Sequence, residues 1–137
     1  MTRQKRIYYL ILPILALSLA ILACSGGYST SSKISGNNGE VRVKTNAVNG
    51  IDTTSVELND DWSYSRVAAN VAFGVESGSC QATLLGEEGT RIAVDASAGS
   101  PGQASGDLVL DGFGDITFDS NCQNAENLDL LINFTLR

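Results

Sequence analysis

From Val41 to Leu136 apolar side chains recur at every second position, and that period leaves little room for any fold not built of strands. Val67, Ala69, Val71, Phe73 and Val75 make one such run, and Leu128, Leu130, Ile132, Phe134 and Leu136 make the clearest. Shorter runs lie before and between them: Val41 and Val43, Val56 and Leu58, then Cys80, Ala82 and Leu84, Ile92, Val94 and Ala96, Leu108 and Leu110, and Ile116 and Phe118. Gly, Asn and Asp punctuate the intervals, as at Val48-Asn49-Gly50, Gly86-Glu87-Glu88-Gly89, Gly99-Ser100-Pro101-Gly102 and Asp111-Gly112-Phe113-Gly114. No stretch of useful length carries a helical period.

About eight short strands, each with one apolar and one polar face, bury those faces most simply as two antiparallel sheets packed together. The expected fold over residues 40–137 is therefore an all-β, antiparallel β-sandwich, Ig-like or jelly-roll-like in scale. A closed barrel is the alternative. A β-solenoid fits less well, because no repeat of fixed spacing is present.

The first 24 residues read differently. Arg3, Lys5 and Arg6 supply a basic head, Ile7–Leu22 is almost wholly apolar, and Ala23 precedes Cys24. An apolar helix of about 16 residues spans about 24 Å, short of a hydrocarbon core of about 30 Å. Basic head, short apolar segment and small residue before a cysteine together resemble the bacterial lipoprotein signal and its lipobox, with Ile21 and Ala23 at the expected positions. The resemblance covers residues 1–24 only. It implies a signal peptide over 1–23, cleavage before Cys24, and lipidation of Cys24 with thioether-linked diacylglycerol and further acylation such as palmitate. Several acyl chains anchor firmly where one is marginal, since each buried methylene adds about 0.8 kcal/mol. Ser25 follows instead of aspartate, which points to the outer membrane or outer face. Residues 24–39, rich in Ser, Gly and Asn, read as a lipidated tether too poor in apolar residues to fold.

Cysteine parity agrees with export. With Cys24 consumed by lipid, Cys80 and Cys122 remain to pair in an oxidising compartment. Closing a loop of about 43 residues would contribute about 4 kcal/mol in the chain-entropy model. Two cysteines without a histidine make a poor zinc site. The whole chain carries 9 Lys/Arg against 15 Asp/Glu for a formal charge of −6, and loss of the three signal cations takes the mature part to about −9. That surface disfavours nucleic acid.

Chemistry is sparse. The chain has no histidine, so histidine-based nucleophile activation and histidine metal sites are excluded. Asp107, Asp111, Asp115 and Asp119 recur every fourth residue, but strand neighbours so spaced lie about 13 Å apart, too far to share a calcium ion. A bend at Gly112-Phe113-Gly114 would bring Asp111 and Asp115 together, and the aspartates read as solvated turn residues. Asn59-Asp60-Asp61 reads as turn chemistry. No cofactor or metal is expected, and the reading is of a non-enzyme. Trp62, Tyr64 and Arg66 form the one candidate ligand site. Their even parity opposes the odd core positions of the following run, so on one regular strand they would face solvent and offer rings for a sugar to stack on. A bulge, or a strand starting later so that both rings cap the sandwich edge, would instead turn them inward.

The sequence thus points to a lipid-anchored cell-envelope β-sandwich acting as a non-catalytic binding or structural module. A glycan-binding or adhesin-like domain using Trp62 and Tyr64 is the alternative, and a small envelope hydrolase the weaker one. The expected partners are a membrane, through Cys24, and an envelope glycan or protein.

Overall fold

The computed structural model describes residues 28–59 and 63–137; the signal, Cys24 and Trp62 lie outside the described residues. Seven antiparallel strands form the domain: β1 (Ser29–Ser35), β2 (Asn38–Glu57), β3 (Arg66–Gly74), β4 (Ser77–Leu85), β5 (Arg91–Ser97), β6 (Gly102–Val109) and β7 (Asp115–Leu136). The all-β, antiparallel sandwich is as expected. Among the described residues no helix is long and apolar enough to cross a membrane.

Two strands are far longer than the sequence punctuation suggests. β2 runs for 20 residues and β7 for 22, and they pair with each other along almost their whole length. Each absorbs two of the expected short strands. Val48-Asn49-Gly50 is not a turn between strands but an irregularity within β2, where the pairing shifts between Val48 and Gly50. One inserted residue flips the side-chain phase, which is why buried positions are odd at Val41 and Val43 and even at Val56. β7 has two such sites, at Asn124 and Asn127, both with positive φ. Its buried sequence runs Cys122, Ala125, Leu128, so the two flips cancel and even parity resumes.

Those irregularities bend the β2–β7 ribbon so that it serves both layers. In sheet A the order is β1, the first half of β2, the second half of β7, β3 and β6. In sheet B the second half of β2 and the first half of β7 continue into β4 and β5. Buried residues from both halves, such as Val41 and Val56 or Leu130 and Phe118, belong to one core. Strands that change sheets at bulges are the standard way to make a sandwich corner.

The corner is tightly fastened. The backbone N–H of Asn124 donates to Asn49 Oδ1 at 3.1 Å, and that of Glu76 to the Glu126 carbonyl at 2.9 Å. Gly78 on β4 sits against it with φ +74°, and a Cβ there would lie 2.3 Å from the Asn124 carbonyl oxygen. Only glycine satisfies both conditions. Beside it Cys80 and Cys122 face each other across β4 and β7 and are joined by a disulfide, as expected.

The opposite side of the sandwich closes by close approach. The inward positions of β6 are Gly102, Ala104 and Gly106, and a Cβ on Gly102 would come within 2.0 Å of the Asp95 carbonyl oxygen of β5. Small residues are what let the two sheet edges meet.

β1 is a departure from the expected tether. All seven of its residues are exposed, consistent with a composition too polar to be buried. It is held by its ladder to β2, from Ser29 opposite Lys44 to Ser35 opposite Asn38. Composition alone registers side-chain burial and is blind to main-chain pairing at an edge. Gly78→Ala is expected to lower stability by about 2–4 kcal/mol, from forced φ and backbone overlap together. Urea unfolding of the two proteins measures this, and an unchanged midpoint would contradict it.

Candidate functional site

Side chains pointing away from the core tile the outer face of sheet B with carboxamides and hydroxyls. The pairing register sets them in rows: Asp95, Gln81 and Asn121 lie side by side across β5, β4 and β7, and Ser97, Ser79 and Gln123 form the next row. Six of these and Ser100 line an open cleft of about 380 Å³. Its floor is the disulfide-bearing stretch of β4, so the cross-link stiffens the surface beneath it. Each carboxamide both donates and accepts hydrogen bonds. Asp95 is the one carboxylate among the lining residues. The sequence held the signal in the odd positions of β4 and β7, but only the register shows that they converge.

The outer face of sheet A carries depressions of similar size, about 360 and 420 Å³, where Ala68 and Ala72 on β3 leave room beside Asn70, Asn133, Gln103 and Ser105. At its edge Arg42 donates two hydrogen bonds to Asp129, at 2.8 and 2.7 Å, clamping β2 to β7. The Arg42 hydrogen bonds hold the Asp129 carboxyl below its ordinary value, against a smaller effect of burial, and the same bonds raise Arg42. The pair is exposed, so its contribution to stability is small.

Of the expected aromatic site, Tyr64 is not on a strand: β3 begins at Arg66, so side-chain alternation along β3 does not set the direction of Tyr64. Tyr64 is half-buried and packs against the core. Arg66 is exposed and reaches Glu88 at 3.7 Å. Trp62 lies outside the described residues.

The four aspartates do not gather at one point, but the bend at Gly112-Phe113-Gly114 does bring Asp111 and Asp115 together, because Asp111 lies in the turn between β6 and β7 and not on a strand. Asp111 Oδ1 accepts the backbone N–H groups of Phe113 and Asp115, which fixes the turn into β7. Asp119 accepts from Thr53 at 2.8 Å, Asp115 from Ser55 at 3.3 Å, and Asp107 faces Arg137 at 4.0 Å. Among the described residues no three His, Cys, Asp or Glu side chains gather as metal ligands would.

Tyr28, which in sequence looks isolated, is the unexpected structural residue. Its ring meets Phe118 edge-on at 6.0 Å, and its hydroxyl lies 3.1 Å from Ser120 Oγ. Ser120 is 2% exposed, so Tyr28 provides the partner that this buried hydroxyl needs. Burial pushes the Tyr28 phenol above its ordinary value, the Ser120 hydrogen bond opposes that, and the Asp52 carboxylate adds to the rise.

No family model matches the chain, and no curated relative was found. Among solved structures it is similar to a carbohydrate-binding module of Cellvibrio mixtus lichenase 5A in complex with cellotriose, at 14% identity and TM-score 0.38, covering 80% of this chain and 86% of that one. A Bacillus endospore appendage, described as a disulfide-linked pilus, is similar at 17% identity and TM-score 0.37, with 83% and 96% covered. Recombinant pro-11S globulin of pumpkin is similar at 6% identity and TM-score 0.37 over 79% of this chain, which spans only 25% of the globulin. Likenesses this distant carry no functional conclusion.

Tyr28 yields a test. A phenol whose folded pKa is raised contributes stability that is fully present below its unfolded value of about 10 and is lost as pH rises through the folded value. Tyr28→Phe should therefore cost about 1 kcal/mol at pH 8, from the lost hydrogen bond, and the gap to the native protein should narrow by pH 11. Urea midpoints at the two pH values measure it; a gap that does not change with pH would contradict it.

Proposed function

We propose that the chain is a lipid-anchored, extracytoplasmic binding module of the cell envelope whose ligand contact is the outer face of sheet B. The observation that carries this is the pair of adjacent rows, Asp95–Gln81–Asn121 and Ser97–Ser79–Gln123, on one rigid, disulfide-braced surface. The cleft is open to solvent. It therefore suits an extended chain lying across the strands better than a small molecule, which binds where most of its surface is enclosed. Side chains that donate and accept at once match vicinal hydroxyls, so the ligand class is a polyhydroxylated polymer, an envelope glycan. The acidic surface favours a neutral or cationic one.

Cys24 supplies the attachment in this reading, and the disulfide fits an oxidising compartment. Binding without turnover is favoured because hydrolysis of a glycoside uses two carboxyl groups flanking the bond, whereas Asp95 is alone among the lining residues. A second reading places the glycan on Trp62, Tyr64 and Arg66. The packing of Tyr64 against the core and the pairing of Arg66 with Glu88 weigh against it.

Saturable binding of detergent-solubilised mature protein to envelope polysaccharides is the expected result, weakened about tenfold or more in Gln81→Ala/Asn121→Ala by loss of two hydrogen-bonding groups. Binding lost in Trp62→Ala but kept in the double variant would move the site to the aromatic group. Recovery of a stoichiometric envelope protein, with no glycan bound, would replace the glycan reading by an assembly role. Turnover abolished by Asp95→Asn would make the protein a hydrolase.

A further inference from the structure

We infer that the domain stands directly on the lipid surface, with the bend of β2 around Ile51 as its membrane-facing corner. The inference rests on the lipid anchor at Cys24 proposed above. Tyr28 is locked into the fold: its ring covers Phe118, its hydroxyl meets buried Ser120, and Ser29 already pairs with Lys44. Only four residue steps separate Tyr28 from Cys24. However arranged, four residues span at most about 14 Å. A domain of about 110 residues has a radius of gyration of about 13 Å and so a diameter above about 26 Å, about twice the length of this link. The fold cannot float free of the bilayer, and the corner holding Tyr28 must face it.

Residues at that corner suit the contact. Asp52, whose carboxylate acts on the Tyr28 phenol, is adjacent to Ile51. Ile51 is 82% exposed, more than any other large apolar side chain among the described residues, and no partner within the fold accounts for it. In the headgroup region an exposed isoleucine loses its unfavourable contact with water. Lys44, exposed and opposite Ser29, has its charge engaged by Asp129 across the β2–β7 pair, so the contact rests on Ile51 and not on a free cation. The same geometry orients the proposed cleft. Ile51 pairs with Asn121, and Asn121 with Gln81, so the polar row climbs sheet B from the membrane-facing edge. Neighbouring strands lie about 4.8 Å apart, which puts the cleft within about 10 Å of Ile51, where it would meet polymer lying close to the membrane surface.

The test uses mature full-length protein purified from host membranes and reconstituted in supported bilayers of phosphatidylethanolamine and phosphatidylglycerol. Mass spectrometry of the Cys24 peptide comes first; an unmodified cysteine removes the anchor and this inference with it. With Cys24 lipidated, neutron reflectometry should show protein density starting less than about 14 Å above the headgroups. Insertion of 20 Gly/Ser residues after Ser25 should widen that gap by up to about 25 Å, the typical span of such a linker. Lipidated native protein with a gap as wide as that of the insertion variant would overturn the stance while leaving the anchor intact. Quenching by brominated lipids of Ile51→Trp in a Trp62→Phe background should be strong in the native-length protein and lost in the insertion variant. Absence of quenching in both would overturn the role of Ile51.

Discussion

β2 and β7 continue to pair with each other through the bend that carries them from one sheet into the other, and the rest of the domain hangs on that shared ribbon. β1 and β3 attach to its first layer, β4 to its second, and β6 and β5 complete the two edges. The bend has local causes: one inserted residue in β2, two in β7, left-handed asparagines at 124 and 127, and a glycine at 78 against which the β7 backbone can lie. A disulfide two residues beyond Gly78 then ties β4 to β7 where the chain turns hardest. Core packing alone would hold two sheets face to face. Sharing two strands makes it impossible to separate them without breaking a main-chain ladder as well.

This arrangement explains what could be read in the sequence. Alternation reports which face of a strand is buried, so the sandwich, its core residues and the hairpin at Gly86–Gly89 were legible from Val67 to Leu136. Cysteine parity made Cys80 and Cys122 legible for a separate reason, since two cysteines in a chain without histidine make a poor metal site. Strand continuity was not legible. Asn49-Gly50 has the composition of a turn whether it ends a strand or bulges one, and the difference lies in whether β7 continues opposite. β1 was missed for a related reason, because Ser29–Ser35 bury no side chain and are ordered by backbone pairing alone.

The same division applies to function. A site defined by one segment, such as Trp62, Tyr64 and Arg66, can be proposed from parity, but its geometry depends on where the strand starts; β3 starts too late to display Tyr64. The cleft of Asp95, Gln81, Asn121 and Gln123 draws on three strands separated in sequence, so no local pattern announces it. Tyr28 shows the converse. It is an isolated aromatic in a polar stretch, yet its contact with Phe118 and Ser120 ties residue 28 into the fold and thereby limits how long a leash a lipid on Cys24 could allow.

Native-state hydrogen exchange across a series of low denaturant concentrations tests most directly whether the shared ribbon makes one unit of two sheets. Amides of Val41, Val43 and Leu130 report on sheet A, and those of Val56, Ile116 and Phe118 on sheet B. If β2 and β7 bind the layers into one cooperative body, all six should exchange with the same free energy and the same denaturant dependence, through global unfolding. Two separate isotherms, with one sheet opening while the other stays protected, would show that the layers are independent and that the bent ribbon is only a connection between them.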